Sequence, residues 1–402
     1  MKVLILTSRV PFPSNSGYPI VVYNTLKGLL KLGVEISLFS LNVSRHKVDV
    51  DDIYDPVFDQ LNFYPYPVDN EVNIWGAFFN IFSNQSYNVS RFYDDDAARG
   101  LENILRENEF DIVQFESLFV VPYLDLVKEN SKAKLIYRAH HVEFDVWEGI
   151  AAGEQFIPRR KYLEFLSRRL KVYEKEQINR FDQVFAISDH DRNSILQFGC
   201  QTRLAVFPVA VDFENYQVDL TKTSFPTLFH LGAMDWRPNK EGLEWFLDEI
   251  WPDIEKLNGE LRFYIAGRKM QQQFFDYDSD NLIVEGEVFD AVEFMNSKAI
   301  MIVPLLSGSG MRVKIIEGMA MKKCIIATSM AAQGINCEHG KDILIANTPD
   351  EFYRSILQCI TQPQRWREIG EQARKTVERN HDIHENAKRM LAVYELLVTT
   401  SF

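Results

Sequence analysis

The segment Ile302-Val-Pro-Leu-Leu-Ser-Gly-Ser-Gly-Met-Arg-Val-Lys-Ile-Ile-Glu317-Gly-Met-Ala320 decides how this chain is read. A β-branched apolar run ends at Pro304, and a loop containing Gly308 and Gly310 follows. The pattern then predicts a helix opening near Met311, with Arg312, Lys314 and Glu317 in its first turns. That order gathers free backbone N–H groups, the positive end of a helix dipole and two cations at one point, which suits a phosphate or diphosphate. Glu317, further along the same helix, is placed to reach a hydroxyl beside the phosphates. Phosphate plus sugar hydroxyl describes a nucleotide-sugar. Glycines alone would fit an ordinary loop-to-helix junction of an α/β domain equally well.

Outward from this segment, apolar strands alternate with helical stretches. In the first third, strands are expected at Val3–Leu6, Val34–Ser40, Asp111–Phe115, Lys134–His140 and Gln183–Ile187. Pro19 suits the start of a helix through Leu32 that Gly33 ends. After a polar stretch around Glu214–Ser224 the pattern restarts at Thr227–Leu231. A helix over Lys240–Trp251 comes next, then strands at Leu261–Ala266, Leu282–Glu285, Ala299–Val303, Cys324–Ala327 and Asp342–Ile345. Strand-helix alternation with apolar strands predicts parallel sheets covered on both faces. The expected architecture is α/β, two Rossmann-like domains facing an interdomain cleft. The boundaries are 1–211 for the first domain, 212–382 for the second, and 383–402 for a C-terminal helix that crosses back to the first.

The chain has 402 residues, more than one core usually organises, and is 46% hydrophobic and 25% charged, as a globular protein should be. Its formal net charge of −13 argues against general nucleic-acid binding. The four cysteines, Cys200, Cys324, Cys337 and Cys359, form no CxxC pair and read as thiols of a reducing compartment. Met1–Ser8 reads as a buried first strand and is too short for a leader's apolar core. No run approaches the roughly 18 apolar residues of a membrane span. The expected location is the cytoplasm, with peripheral contact at the inner membrane surface left open.

Residues just past strand ends are the candidates for chemistry. The loop after the first strand, Ser8 to Tyr18, contains neither a dinucleotide fingerprint nor a P-loop, but Gly17 stands ahead of a helix start where backbone N–H groups can approach a substrate. A proline-shaped connector is the alternative. After a later strand comes Arg138-Ala-His140-His141-Val-Glu143. His140 can hydrogen-bond a sugar hydroxyl or act as acid or base, or it is structural. In the second half, Arg237 and Arg268 each follow a strand, and arginine offers a fork to phosphate oxygens. Asn239 is the expected N-cap of the helix after Arg237. Asp94-Asp95-Asp96 precedes a helix over Ala97–Glu107 and reads as its cap, so no metal is assigned.

Two further segments carry open alternatives. On the helix around Arg159–Arg180, Arg160, Lys161, Arg168, Lys171 and Lys175 share one arc, next to Phe165, Leu166, Leu170, Val172 and Tyr173. This is a solvated face, or one that meets lipid head groups or a pyrophosphate-bearing acceptor. The aromatic cluster Ile74–Phe82 is a helix packing on the first domain, or a lipid- or acceptor-facing surface.

The sequence resembles retaining glycosyltransferases of the GT-B fold, most nearly family GT4. The resemblance is carried by His230-Leu-Gly-Ala-Met-Asp-Trp-Arg-Pro-Asn239 with Gly242, by Ile265-Ala-Gly267, and by the opening loop with Glu317-Gly-Met-Ala320. Weaker carriers are the Pro11–Gly17 loop, His140-His141-Val-Glu143 and Ala186-Ile-Ser188. It implies a nucleotide-sugar donor in the second domain and a sugar or lipid-linked sugar acceptor in the first. Glu317 matches the second glutamate of the family's E-x7-E motif, which bonds the ribose, while Ser309 stands where the sugar-facing glutamate belongs. Gly308, Gly310, Met311, Arg312, Val313, Lys314 and Arg268 would meet the nucleotide-sugar, with amides from Gly310 to Val313 on the diphosphate. The family's first-loop arginine is Ala233 here, so Arg237 or Lys240, or Arg312 and Lys314, would substitute. His140 matches the histidine that reaches the transferred sugar. The expected catalytic residues are therefore His140, Arg237 and Ser309, with no metal or other cofactor.

What the resemblance implies is transfer with retention in building a cell-surface polysaccharide or glycoconjugate. A sugar-nucleotide epimerase and a silent binding homologue are the rivals, the latter because of Ser309.

Overall fold

The computed structural model describes residues 1–14, 17–71, 86–257, 259–308 and 310–400. The chain divides into two compact units, Met1–Ala210 with Ile383–Phe402, and Val211–Asp382. The first unit runs β1 (Lys2–Thr7), α1 (Gly17–Lys31), β2 (Glu35–Val43), β3 (Asn62–Val68), α2 (Asp95–Glu107), β4 (Ile112–Phe115) and α3 (Leu124–Asn130). It continues through β5 (Lys134–Ala139), α4 (Glu143–Ala152), α5 (Ile157–Ile178), β6 (Gln183–Ala186), α6 (Asp189–Gln197) and β7 (Arg203–Val206). The strands form one parallel sheet in the order β3-β2-β1-β4-β5-β6-β7. Both faces are covered, which is why the central strands are continuous apolar runs. Leu4 and Leu6 join one core layer, and Val3 and Ile5 join the other.

Local chemistry sets the helix ends. Gly33 takes a φ of +76° just past α1, the left-handed stop that glycine tolerates best. Asp94 caps α2, its carboxylate accepting from the N–H groups of Asp96 at 2.9 Å and Ala97 at 3.0 Å. The acidic run is thus a helix cap, as expected, and the helix opens two residues earlier than the sequence suggested.

The second unit runs β8 (Thr227–Leu231), α7 (Arg237–Glu249), β9 (Arg262–Ala266), β10 (Leu282–Gly286), α8 (Ala291–Asn296), β11 (Ile300–Val303), α9 (Val313–Ala320), β12 (Cys324–Ala327), β13 (Leu344–Ile345), α10 (Pro349–Thr361) and α11 (Pro363–Asn380). Its parallel sheet has the order β10-β9-β8-β11-β12-β13. The final helix, α12 (Ile383–Thr399), returns to the first unit and packs on α1. The approach is close: a Cβ at Gly28 would lie 2.9 Å from Ala387 Cβ.

Both sheets are doubly wound. The strand order reverses between β1 and β4 and again between β8 and β11. In open α/β sheets the ligand crevice opens at such a reversal, outside the carboxyl ends of the strands.

Several boundaries moved. α7 begins at Arg237 instead of Lys240, α9 at Val313 instead of Met311, and β13 holds only Leu344–Ile345 of the expected Asp342–Ile345. β3 and β7 were not expected. The aromatic cluster Ile74–Phe82 lies outside the described residues. No described helix is long and apolar enough to cross a membrane. The cysteines are free thiols.

Candidate functional site

At the reversal of the first sheet, Glu116 stands one residue past β4 and His140 one residue past β5. Both are buried, Glu116 completely. His140 Nε2 lies 2.7 Å from Glu116 Oε2. The Arg138 guanidinium, also buried, is 3.6 Å from Glu116 Oε1 and donates to Thr25 Oγ1 at 2.7 Å. Gln114 donates to the same carboxylate. Burial alone would raise the Glu116 pKa. The Arg138 charge, His140 and Gln114 outweigh it and bring the carboxyl down to about 2. Burial pulls His140 below the ordinary imidazole range, against the opposing pull of Glu116.

Gly17 opens α1, and the ring of the next residue, Tyr18, packs against His140 with centroids 4.7 Å apart and planes tilted by 49°. The Tyr18 hydroxyl accepts from the Ser8 N–H at 3.2 Å. The structure thus brings the loop after β1 to His140. Glu143, half-buried at the start of α4, is pushed up to about 7 by burial. The buried Glu174 carboxylate of α5 takes the N–H groups of Glu143 and Phe144 at 3.2 Å each, capping α4.

At the reversal of the second sheet, the chain leaves β11 through Pro304 and enters the glycine loop. Gly308 and Gly310 hold φ values of +108° and +81°, a conformation that side chains disfavour. Arg312 occupies the N-cap position of α9, almost wholly buried, with its guanidinium 5.5 Å from the Trp236 ring and hydrogen-bonded to the Gly310 carbonyl. Burial lowers its pKa to about 10. Lys314, in the first turn of α9, donates to Asn239 Oδ1 at 2.6 Å. Burial, and then the charge of Arg312, bring its pKa to about 7. One turn further on, Glu317 Oε1 accepts from the Tyr216 hydroxyl at 2.9 Å. Burial raises the Glu317 pKa, and the tyrosine bond partly offsets this. Met311 and Val313 flank Arg312, at the end of the loop and the first residue of α9. Ser309 lies outside the described residues.

The loop after β8 faces the glycine loop. A Cβ on Gly308 would meet Trp236, Pro238 and the Arg312 guanidinium, each at 3.2 Å. α7 lies equally close: a Cβ on Gly242 would come within 2.3 Å of the Pro304 carbonyl oxygen. Asn239 is not the N-cap of α7. Trp236 takes that position, with Pro238 in the first turn, and the Asn239 amide turns inward to the Ala233 carbonyl at 2.9 Å and to Lys314.

Arg237 stands apart from Arg312 and Lys314. Its side chain is 74% exposed and pairs with Glu241, one turn along α7. Glu241 also takes the Ser307 hydroxyl at 3.0 Å, so Arg237 reaches the glycine loop only through a carboxylate. Lys240 pairs with Glu244 in the same way. The Arg268 side chain is exposed, and its carbonyl accepts from the Met234 N–H at 2.9 Å. Sequence reasoning missed Glu116, Asn239 in its inward role, and Tyr216. An acid directly after a buried apolar strand was the one signal for Glu116.

Two doubly wound parallel sheets, the second with a glycine loop and two cations at its reversal, define an α/β class of protein built from two Rossmann-like halves. The family model "Glycosyltransferase Family 4" matches residues 16–215, and the model "Glycosyl transferases group 1" matches residues 225–362. The chain belongs to this family of glycosyltransferases and has the GT-B fold. Sucrose-phosphate synthase from Thermosynechococcus elongatus aligns over 100% of both chains at a TM-score of 0.72 and 13% identity. Anabaena HepE in complex with UDP aligns over 98% of this chain and 100% of its own, at a TM-score of 0.67 and 14% identity. A curated relative, an uncharacterized 44.6 kDa protein in the cps region of Klebsiella pneumoniae, is 22% identical over 390 residues, 95% of this chain and 96% of that protein.

Proposed function

We propose that this glycosyltransferase moves a sugar from a nucleoside-diphosphate-sugar to an acceptor hydroxyl, with retention at the anomeric carbon, in building a cell-surface polysaccharide or glycoconjugate. One observation carries the reading: Arg312 and Lys314 are desolvated beside a glycine loop, with Glu317 one turn behind them. Two cations held in low dielectric interact strongly with an arriving diphosphate. The amides from Gly310 to Val313 add donors, and Glu317 Oε2 remains for a ribose hydroxyl while Oε1 holds Tyr216.

In this reading Arg312 and Lys314 take the place of the cations missing from the loop after β8, and Arg237 has no direct contact with the donor. They stabilise negative charge on the departing diphosphate as the glycosidic bond breaks, with no metal required. His140, in the first unit, hydrogen-bonds a sugar hydroxyl. Anabaena HepE was solved with UDP and with UDP-glucose, so uridine diphosphate-sugars are the first donors to test. The cps-region relative supports the polysaccharide role.

The test is a thermal-shift panel of nucleoside diphosphates and their sugars, followed by product analysis. A ligand at 100 times its Kd should stabilise the protein by about 2.7 kcal/mol. An α-linked donor should give an α-linked product by NMR, unchanged by a chelator. An inverted product overturns retention, and nucleotide binding without any turnover favours the silent homologue.

A peripheral contact with the inner membrane belongs to the same reading. The outer face of α5 exposes Ile157, Phe165 and Val172 beside Lys161, Arg168 and Lys175, while Leu163, Leu166 and Leu170 are buried. Co-sedimentation with phosphatidylglycerol vesicles but not with phosphatidylcholine vesicles is the expected result. Equal behaviour with both would remove the membrane contact.

A further inference from the structure

Ser8, Glu116 and His140 stand one residue past the neighbouring strands β1, β4 and β5. Glu116 is sealed from solvent, beside Arg138 and bonded by Gln114. It is therefore ionised and can only accept hydrogen bonds. His140 Nε2, 2.7 Å away, must carry the hydrogen. In the neutral ring Nδ1 is then a bare lone pair, because the bond made by one ring nitrogen fixes the state of the other. The Tyr18 ring, tilted by 49° at a centroid distance of 4.7 Å, packs against the imidazole and limits its rotation. The chain of contacts does not stop at Glu116. Gln114 is turned so that its amide nitrogen faces the carboxylate, and its Oε1 accepts from the Tyr394 hydroxyl of α12 at 2.6 Å.

We propose that Glu116 is the positioning residue of His140, fixing the Nε2–H tautomer so that Nδ1 presents an acceptor to a substrate hydroxyl, and that Gln114 and Tyr394 extend this positioning to the C-terminal helix. The proposal rests on the sugar-transfer reading for its substrate, but the tautomer is a property of the resting protein. Tyr394 fixes which way the Gln114 amide faces, Gln114 and Arg138 hold the Glu116 carboxylate, and the carboxylate holds the ring. A helix far along the sequence thereby becomes part of the support of the histidine.

Histidine ¹⁵N spectra of the full chain, without ligands, read the tautomer directly. The wild-type protein should show His140 with a protonated Nε2 and a bare Nδ1. Glu116→Gln should lower the His140 pKa further, mix the tautomers and reduce kcat roughly ten- to hundredfold, with little change in donor KM. Tyr394→Phe removes one hydroxyl and keeps the ring, so it remains informative if Glu116→Gln misfolds. It should shift the His140 resonances in the same direction by less. A protonated Nδ1 in the wild type, or a Tyr394→Phe spectrum superimposable on it, would overturn the assignment. So would full activity in Glu116→Gln with mixed tautomers. Absence of turnover in a wild-type protein with the expected tautomer would instead overturn the sugar-transfer reading alone.

Discussion

The two sheet reversals handle buried charge in opposite ways. In the first unit, Glu116 is compensated inside the chain by Arg138, His140 and Gln114. In the second unit, Lys314 donates to the neutral Asn239 amide oxygen and faces the like charge of Arg312. One site is balanced within the chain, and the other, in the proposed function, is completed by the donor's diphosphate. Folding therefore benefits from the first arrangement, and binding from the second, because a desolvated cation is held at a cost until an opposite charge arrives.

That contrast is most easily broken by removing one charge from each site. Glu116→Ala should cost about 3–5 kcal/mol of stability, since it strands Arg138 in the interior. Denaturant unfolding measures this, and a loss below about 1 kcal/mol would end the contrast. Lys314→Met should do the reverse, leaving the ligand-free protein as stable or more so while weakening diphosphate binding by roughly 1.5–3 kcal/mol. Arg312→Ala should likewise lower affinity for the nucleoside diphosphate more than for the nucleoside, by calorimetry. Equal losses for both ligands would take Arg312 out of the phosphate site. Next in size is Glu317→Ala, expected to weaken nucleoside and nucleoside diphosphate alike by roughly 1–3 kcal/mol. Unchanged nucleoside affinity would refute the ribose assignment.

The pH dependence sharpens the comparison further. Burial and the charge of Arg312 bring Lys314 down to about 7, and a bound diphosphate should raise that value. Binding then takes up a proton above pH 7, so affinity should be flat below about pH 7 and fall as pH rises past it, by at most tenfold per unit. Titrations at pH 6 and 8 in buffers of different ionisation enthalpy report both effects. Glu116 acts through stability, and in the acid range. Its folded pKa near 2 lies below the ordinary 4.5, so its contribution is present above about pH 4.5 and is lost as pH falls toward 2.

Much of this fold was legible because buried parallel strands leave continuous apolar runs. β8 and β12 were read to the residue, and β11 to within one. β3 was missed because Pro65 and Pro67 argue against a strand, yet β3 is an edge, where a missing N–H need not break a ladder. β7 is the other edge and only half-buried, so its pattern was weak. In the site, Arg312, Lys314 and Glu317 could be placed together because one helix start spaces them. Glu116 and Tyr216 reach their partners only through the tertiary fold. Asn239 misled because Pro238 moves the helix start ahead of it and Lys314 draws its side chain inward.

The return of α12 to α1 also orders the assembly of the molecule. The second unit is a continuous stretch of chain, whereas the first is closed by residues that leave the ribosome only after that stretch is complete. During synthesis the second unit can therefore reach its native state first. The groove on α1 beside Gly28 waits uncovered until Ala387, Met390 and Tyr394 emerge. The first unit therefore keeps an apolar face open to water for that interval, and its core closes last.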